Sequence, residues 1–168
     1  MPLALFFFAF LSNVALSIVP HEPIVIWYGS VLGVWVTAVV ATLGTVAASW
    51  VDHRLFVPLL GRLATKPALA QGPVAWMRRR FSSAPFAMLA VSGLTPLPFY
   101  PFKIAALTER YPLGRYLAAI AVGRLPRYAL LAWLGVVVHI PAWILIALFL
   151  ALLTPSLRLL VWRRQSAR

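Results

Sequence analysis

Two proline-bounded stretches of this chain each place one ionisable side chain in sequence that is otherwise apolar. Glu22 lies within residues 20–23, and Lys103 follows Pro101 at the corresponding position 81 residues later. Proline removes a backbone hydrogen-bond donor, and hydrocarbon tolerates a broken backbone only where protein or water covers it. A carboxylate in a membrane interior either joins an ion pair or takes up a proton. The pattern therefore indicates a protein that moves something through a membrane, unless Glu22 is merely solvated at the outer interface.

Arg124 and Arg127 are candidates for binding a phosphate group. They lie three residues apart, so they share one face of a helix, and the planar guanidinium group suits phosphate through paired hydrogen bonds. The alternative is that both side chains snorkel to the cytoplasmic interface, because they lie only about 11 to 14 residues into the apolar stretch. For Lys103 the sequence leaves open contact with a head-group phosphate, a pair with Glu22, or a place at the interface.

Asp52 and Arg54 are secondary candidates at the end of an earlier apolar stretch. Neighbouring opposite charges at such a place are more often a surface cluster than a functional site. Metal binding is not predicted, because the three histidines and three acids are scattered without ligand spacing. No nucleophile and base occur together, so the sequence predicts neither an enzyme nor a bound cofactor.

The composition is that of a membrane protein. Hydrophobic residues make up 62% of the chain and the mean hydropathy is +0.91, far above the values of soluble domains. The 15 Lys and Arg residues outnumber the 3 Asp and Glu residues, and they lie in short loops and at the ends of apolar runs. This distribution follows the positive-inside rule and does not indicate a nucleic-acid-binding domain. Because the chain has no cysteine, a disulfide framework and a thiol nucleophile are excluded.

The apolar runs predict an all-α integral membrane protein, in which two opposed re-entrant hairpins form an inverted repeat and about three transmembrane helices cross the bilayer. The single domain, residues 1–168, divides into a first hairpin at 1–31, a span at 32–51, a cytoplasmic or interfacial segment at 52–83, a second hairpin at 84–110, spans at 113–137 and 142–161, and a basic tail at 162–168. The positive-inside rule places 52–83 and the C-terminus on the cytoplasmic side of the inner membrane, and the short turn at 139–141 then faces outward.

Several of these motifs resemble the DedA/VTT family of membrane proteins, also called SNARE-associated. The similar stretches, in chain order, are 20–29 (PHEPIVIWYG), 43–55, 95–107 (TPLPFYPFKIAAL), 114–117 and 123–127 (GRLPR). The resemblance covers residues 15–137. It implies two opposed re-entrant hairpins and a role in moving lipids across a bilayer. Bacterial members are linked to the transport of polyprenyl phosphates or phospholipids, often with dependence on the proton gradient, and eukaryotic members behave as scramblases.

The resemblance also assigns residues. Glu22 is similar to the acid of the family's first hairpin, and Arg124 and Arg127 match its Gly-Arg-x-Pro-Arg pattern. The chain departs from the family at two places. The stretch 91–96 lacks the arginines that many members carry around the second break, and Ser49 and Asp52 stand in place of an acid and a tyrosine.

We therefore predict a multi-pass protein of the cytoplasmic membrane that translocates or scrambles a lipid with a phosphorylated head group, in a process that protons can drive. The expected partners are membrane lipids with anionic head groups and protons. Nucleic acid is not an expected partner. The alternatives are a small proton-coupled transporter of an ion or metabolite, and a membrane scaffold component that transports nothing.

Overall fold

The computed structural model describes residues 1–14, 20–63, 81, 83–95, 99–138, 141 and 143–151. These residues form helices without any strand, and the prediction of an all-α chain is confirmed for them. The helices are α1 (Pro2–Asn13), α2 (Glu22–Leu32), α3 (Val34–Leu63), α4 (Pro85–Leu94), α5 (Phe99–Thr108), α6 (Leu113–Val137) and α7 (143–151).

Two of the described helices are long and apolar enough to cross a membrane, within Val34–Leu59 of α3 and Leu113–Val137 of α6. The second coincides with the predicted span at 113–137. The first extends beyond the predicted span at 32–51, because α3 continues through Asp52 to Leu63. Sequence reasoning ended the span at its first charged residue. In the structure that carboxylate is buried inside the protein, so it does not force the helix to end at the membrane surface.

The remaining helices are shorter and are separated at the two proline-rich breaks. α1 has 12 residues and α4 has 10, and a helix needs about 20 residues to cross the hydrocarbon. α2 begins at Glu22 with a proline in its first turn, where the missing N–H costs nothing. Of the predicted hairpin tips, 20–23 is non-helical at Pro20 and His21 and helical from Glu22, and 95–101 is non-helical at Thr95 and helical from Phe99. Residues 15–19 and 96–98 lie outside the described residues. The re-entrant course and the inverted repeat therefore stay predictions.

Glycines let α2 and α6 approach until their backbones touch. A Cβ added at Gly29 would overlap the backbone of Ala132, and one added at Gly135 would overlap the carbonyl of Ile26. Small residues at such crossings are how helices gain close van der Waals contact in a membrane. The start of α2, which carries Glu22, is therefore held firmly against α6.

Similar close contacts join α1 to α3 and α4 to α6. A Cβ at Gly44 would lie 2.5 Å from the carbonyl oxygen of Phe6, and one at Gly123 would overlap the backbone of Ala90. The first helix before each break thus packs on the long helix that follows that break in the chain. The long helices α3 and α6 also pack on each other.

Large apolar side chains cover the outside of the described helices. Trp35, Phe7 and Trp133 are all more than half exposed. A soluble protein rarely exposes a continuous apolar surface of this kind, whereas a lipid-facing surface requires it.

Only part of the predicted span at 142–161 is described, as α7, and the tail at 162–168 and most of the segment at 52–83 lie outside the described residues.

Candidate functional site

Glu22 and Arg127 form an ion pair where α2 begins. Arg127 donates from Nη2 to Glu22 Oε1 at 2.9 Å and from Nη1 to the backbone carbonyl of Thr95 at 2.6 Å. The second carboxylate oxygen of Glu22 accepts a hydrogen bond from the backbone N–H of His21 at 3.1 Å. The side chains of Arg127 and Glu22 are 18% and 27% exposed, so the pair is open to a ligand from one side.

Arg124 lies one turn before Arg127 on α6 but is almost fully buried, with 4% of its surface exposed. Its Nη1 lies 3.4 Å from Nε2 of His21, and its guanidinium group lies over the rings of Phe99 and Tyr128, at 5.0 and 5.9 Å from their centroids. Within the described part of the chain, Arg124 Nε has no hydrogen-bond partner and no carboxylate lies within ion-pair distance of the guanidinium group. A buried charge in this state is costly, so the position suits an anion that is not part of the protein.

His21 begins a chain of hydrogen-bonding side chains that crosses from α2 through α6 to α3. The hydroxyl of Tyr128 lies 2.9 Å from His21 Nε2 and 2.8 Å from the hydroxyl of Thr45. Thr45 donates in turn to the carbonyl of Ala41 at 3.0 Å. His21, Tyr128 and Thr45 are all buried. The chain fixes the imidazole ring beside Arg124.

A second buried ion pair joins α3 to α5. Lys103 Nζ lies 2.5 Å from Asp52 Oδ2, and it also donates to the carbonyl of Asn13 at 3.0 Å. Asn13 is the last residue of α1, where the helix dipole favours a positive charge. The alternative that Lys103 pairs with Glu22 is therefore wrong. Lys103 instead pairs with the carboxylate of α3, which packs against α5.

The two ion pairs belong to one electrostatic cluster. The positive charge of Arg124 acts on both Glu22 and Lys103. The described cluster contains Arg124, Arg127 and Lys103 against Glu22 and Asp52, which leaves one net positive charge when His21 is neutral. An anion with one negative charge would therefore balance it.

Arg54, the remaining predicted candidate, lies outside this cluster. Its side chain is exposed and lies over the ring of Trp50, 5.7 Å from the centroid. This contact is typical of an arginine near a membrane interface. Asp52, two residues earlier, points inward and joins the cluster.

The sequence interpretation missed three polar residues of the site: His21, Tyr128 and Thr45. His21 could have been suspected, because it lies in the same proline-bounded segment as Glu22. Tyr128 and Thr45 carry no such signal, since a tyrosine or threonine in an apolar helix is most often a packing residue. Among the described residues, no three His, Cys, Asp or Glu side chains come together in a group that could hold a metal ion.

An apolar cavity of about 350 Å³ lies between α2 and α7. Its wall begins at Pro23, the residue after Glu22. The lining residues are Pro23, Ile24, Trp27, Leu145, Ile146 and Phe149. The cavity therefore suits a hydrocarbon chain, and one of its lining residues adjoins Glu22 in the sequence.

Comparison with known proteins agrees with this architecture. Residues 19–137 match the VTT domain family. The matched range contains both proline-rich breaks, helices α2 to α6, and every charged residue of the cluster. No curated protein and no solved structure matches the chain. Since the match covers more than half of the chain, the protein belongs to the VTT domain family, that is, to the DedA family of membrane proteins.

Proposed function

We propose that this protein moves a lipid with a phosphate-containing head group across the cytoplasmic membrane, and that the charged cluster holds the head group. The observation that carries the proposal is the state of Arg124, which is buried without a carboxylate among the described residues. A phosphate oxygen would supply the missing anion, and the guanidinium group could bind it with paired hydrogen bonds.

The position of the apolar cavity supports a lipid rather than a small soluble anion. Pro23, which follows Glu22 in the chain, lines the cavity, and the other lining residues are apolar as well. A phosphate head group at Arg127 would place the attached hydrocarbon chain beside Trp27 and Phe149. A transporter of small anions would need the arginines but not the cavity, and a scaffold would need neither.

The hydrogen bonds at the two breaks support the predicted pair of opposed hairpins. Lys103 donates to the last carbonyl of α1, and Arg127 donates to Thr95 at the end of α4. In each case a cation from a helix later in the chain binds the C-terminal end of the helix that precedes a break, and the bond from Lys103 to Asn13 joins the two halves of the chain. Transporters with inverted repeats place their sites where such broken helices face each other.

Glu22 gives this site a route for coupling to protons. While ionised, Glu22 competes with a phosphate for Arg127, because one guanidinium edge binds the carboxylate. Protonation of Glu22 weakens that bond and leaves Arg127 for the phosphate, whereas arginine keeps its own proton. Binding would then follow proton uptake, and release would follow proton loss.

A lipid-movement assay tests the proposal. The purified protein is reconstituted in liposomes that contain a fluorescent phosphatidylglycerol or, separately, a fluorescent glycolipid with a neutral sugar head group, and an impermeant quencher reports which leaflet holds the label. We expect movement of the phosphatidylglycerol to exceed that of the glycolipid, and Arg124→Gln to remove the difference. Arg115→Gln is the matched control, because Arg115 is exposed on the same helix. Equal movement of both lipids would remove the head-group site from the proposal.

A further inference from the structure

We infer that His21 controls when Arg124 is free to bind an anion: neutral His21 holds the guanidinium group, and protonated His21 releases it. The inference rests on the proposed function only in taking the anion to be a lipid phosphate. It makes His21 a positioning residue, since the imidazole acts on Arg124 and not on the lipid.

The contact between Arg124 and His21 defines the protonation state of the imidazole ring. A guanidinium group can donate hydrogen bonds but cannot accept them. Arg124 Nη1 lies 3.4 Å from His21 Nε2, so this contact is a hydrogen bond only when that nitrogen accepts. In the state that holds Arg124, His21 must therefore be neutral with its proton on Nδ1.

The hydrogen bonds beyond His21 favour a state in which Nε2 carries a proton. Thr45 uses its hydroxyl hydrogen on the carbonyl of Ala41, so it accepts from Tyr128. Tyr128 has a single hydroxyl hydrogen, and Nε2 of neutral His21 requires the same hydrogen. A proton on Nε2 resolves this competition, because His21 then donates to Tyr128, Tyr128 to Thr45, and Thr45 to Ala41. For a ring that carries its first proton on Nδ1, protonation of Nε2 thus completes the chain and ends the bond from Arg124.

Electrostatic forces also favour the release of Arg124 when His21 is protonated. Among the described residues, the titratable groups near His21 are the adjacent Glu22 and, on α6, the two arginines and Tyr128. On α3, the uncharged Thr45 lies at the end of the hydrogen-bonded chain, and two turns further along Asp52 is paired with Lys103 of α5. An imidazolium group would be stabilised by the adjacent Glu22 and would repel Arg124. Histidine changes its charge between about pH 5 and pH 8. The affinity for an anion should therefore rise as the pH falls through this range.

Nuclear magnetic resonance can test the switch directly in the full-length protein, with ¹⁵N-labelled histidine in lipid nanodiscs. The signal that disappears in His21→Gln belongs to His21. We expect a neutral ring protonated on Nδ1 at about pH 8 and an imidazolium at about pH 5. Arg124→Gln should move the midpoint of this titration to higher pH, because a neighbouring positive charge is removed. The inference would be overturned by a neutral ring protonated on Nε2 at high pH. It would also be overturned if the midpoint of the His21 titration were the same in Arg124→Gln as in the unmodified protein.

A binding measurement gives the second readout and does not depend on the stability of the arginine variant. The probe is short-chain phosphatidylglycerol, whose phosphodiester keeps one negative charge throughout this pH range. If the lipid shifts the His21 titration by one pH unit, its affinity at pH 5.5 should exceed that at pH 8 by roughly tenfold. His21→Gln should lower this ratio, because the contribution of the imidazole is removed, whereas the control His53→Gln should keep the wild-type ratio.

The outcomes separate this inference from the proposed function. If phosphatidylglycerol binds in preference to the neutral glycolipid but His21→Gln keeps the full pH ratio, the switch is overturned and the head-group site stands. If neither lipid is preferred at any pH, the head-group site fails, and the response of the His21 signal to Arg124→Gln still decides whether the two side chains are coupled.

Discussion

Arg127 Nη2 lies 2.9 Å from Glu22 Oε1, although the two residues are separated by 105 positions in the chain. Through its other amino group, Arg127 also binds the carbonyl of Thr95. Arg127, on the long helix α6, therefore binds residues at both proline-rich breaks. Any movement that separates the breaks must first break or exchange at least one of these two bonds.

The first prediction concerns proton coupling. Glu22→Gln keeps a hydrogen-bonding side chain of the same size but cannot gain or lose a proton. We expect lipid movement in this variant to become independent of an imposed pH gradient, while phosphatidylglycerol still binds. The measurement is lipid flux in proteoliposomes with matched and unmatched internal pH. A flux that follows the gradient as in the unmodified protein would exclude Glu22 from the coupling step, and the scaffold interpretation would then gain weight.

The second prediction concerns the arginines as ligands. Arg124→Gln and Arg127→Gln should each weaken phosphatidylglycerol binding by roughly 1.5–3 kcal/mol, the value of one hydrogen bond to a charged group. Binding of the lipid to the protein in detergent, followed by tryptophan fluorescence, measures the loss. Arg115→Gln should bind as the unmodified protein does, since Arg115 is exposed. A similar loss in all three variants would indicate attraction to net positive charge rather than a site.

The third prediction concerns the buried pair of Lys103 and Asp52. Lys103→Met leaves the carboxylate of Asp52 without this partner in a buried place, so the free energy of unfolding should fall by about 3–5 kcal/mol. The double variant Asp52→Leu with Lys103→Met removes both charges and should be more stable than the single variant. Thermal unfolding in detergent compares them, with Arg54→Gln as an exposed control that changes stability by less than about 0.5 kcal/mol. If the double variant were the least stable, the pair would owe its stability to more than charge compensation.

The fourth prediction concerns the contact between α2 and α6. Gly135→Val places a side chain against the carbonyl of Ile26, where no space exists. The helices must separate, and the free energy of unfolding should fall by at least about 1–3 kcal/mol. Gly114→Ala on the same helix is the control, because no heavy atom lies within 4 Å of the added methyl group. Equal melting temperatures for the two variants would contradict the tight crossing.

The fifth prediction concerns orientation. The chain has no cysteine, so single cysteines can be introduced without background labelling. Following the positive-inside rule, cysteines at Ala64 and Ala167 should react with an impermeant reagent only from the cytoplasm, and one at His139 only from outside. Labelling of Ala64 and Ala167 from opposite sides would rule out the predicted arrangement of hairpins and spans.

Much of the helical framework could be predicted from hydropathy and proline positions. The second long helix lies at 113–137 as expected, and both breaks fall beside the predicted prolines. These features are local, because a run of apolar residues and a missing N–H act on their own segment. The same local signals identified Glu22, Arg124 and Arg127, which the structure brings close together.

The pairing of charges could not be predicted in this way. The sequence relates Lys103 to Glu22, because both follow a proline at the same offset, and it indicates an interface position for Asp52 at the end of an apolar run. Which carboxylate faces Lys103 depends on how α5 packs against α3, and these helices are far apart in the sequence. The role of His21 likewise depends on neighbours from α3 and α6. Tertiary packing decides both the partner of Lys103 and the role of His21. A single sequence carries no local signal for such packing.

The glycine contacts have a mechanical consequence. They lock α2 to α6 and α1 to α3, so each pair should behave as a stiff block, with the arginines on one block and Asp52 on the other. Between α2 and α3 lies Gly33, which has a positive φ of 82° and no heavy atom within 4 Å of the position a Cβ would take. We expect it to be the pivot between the blocks. If so, the cluster opens by a rotation between α3 and α6, and the first bond to stretch is the one between Thr45 and Tyr128, which joins the two blocks at their centre.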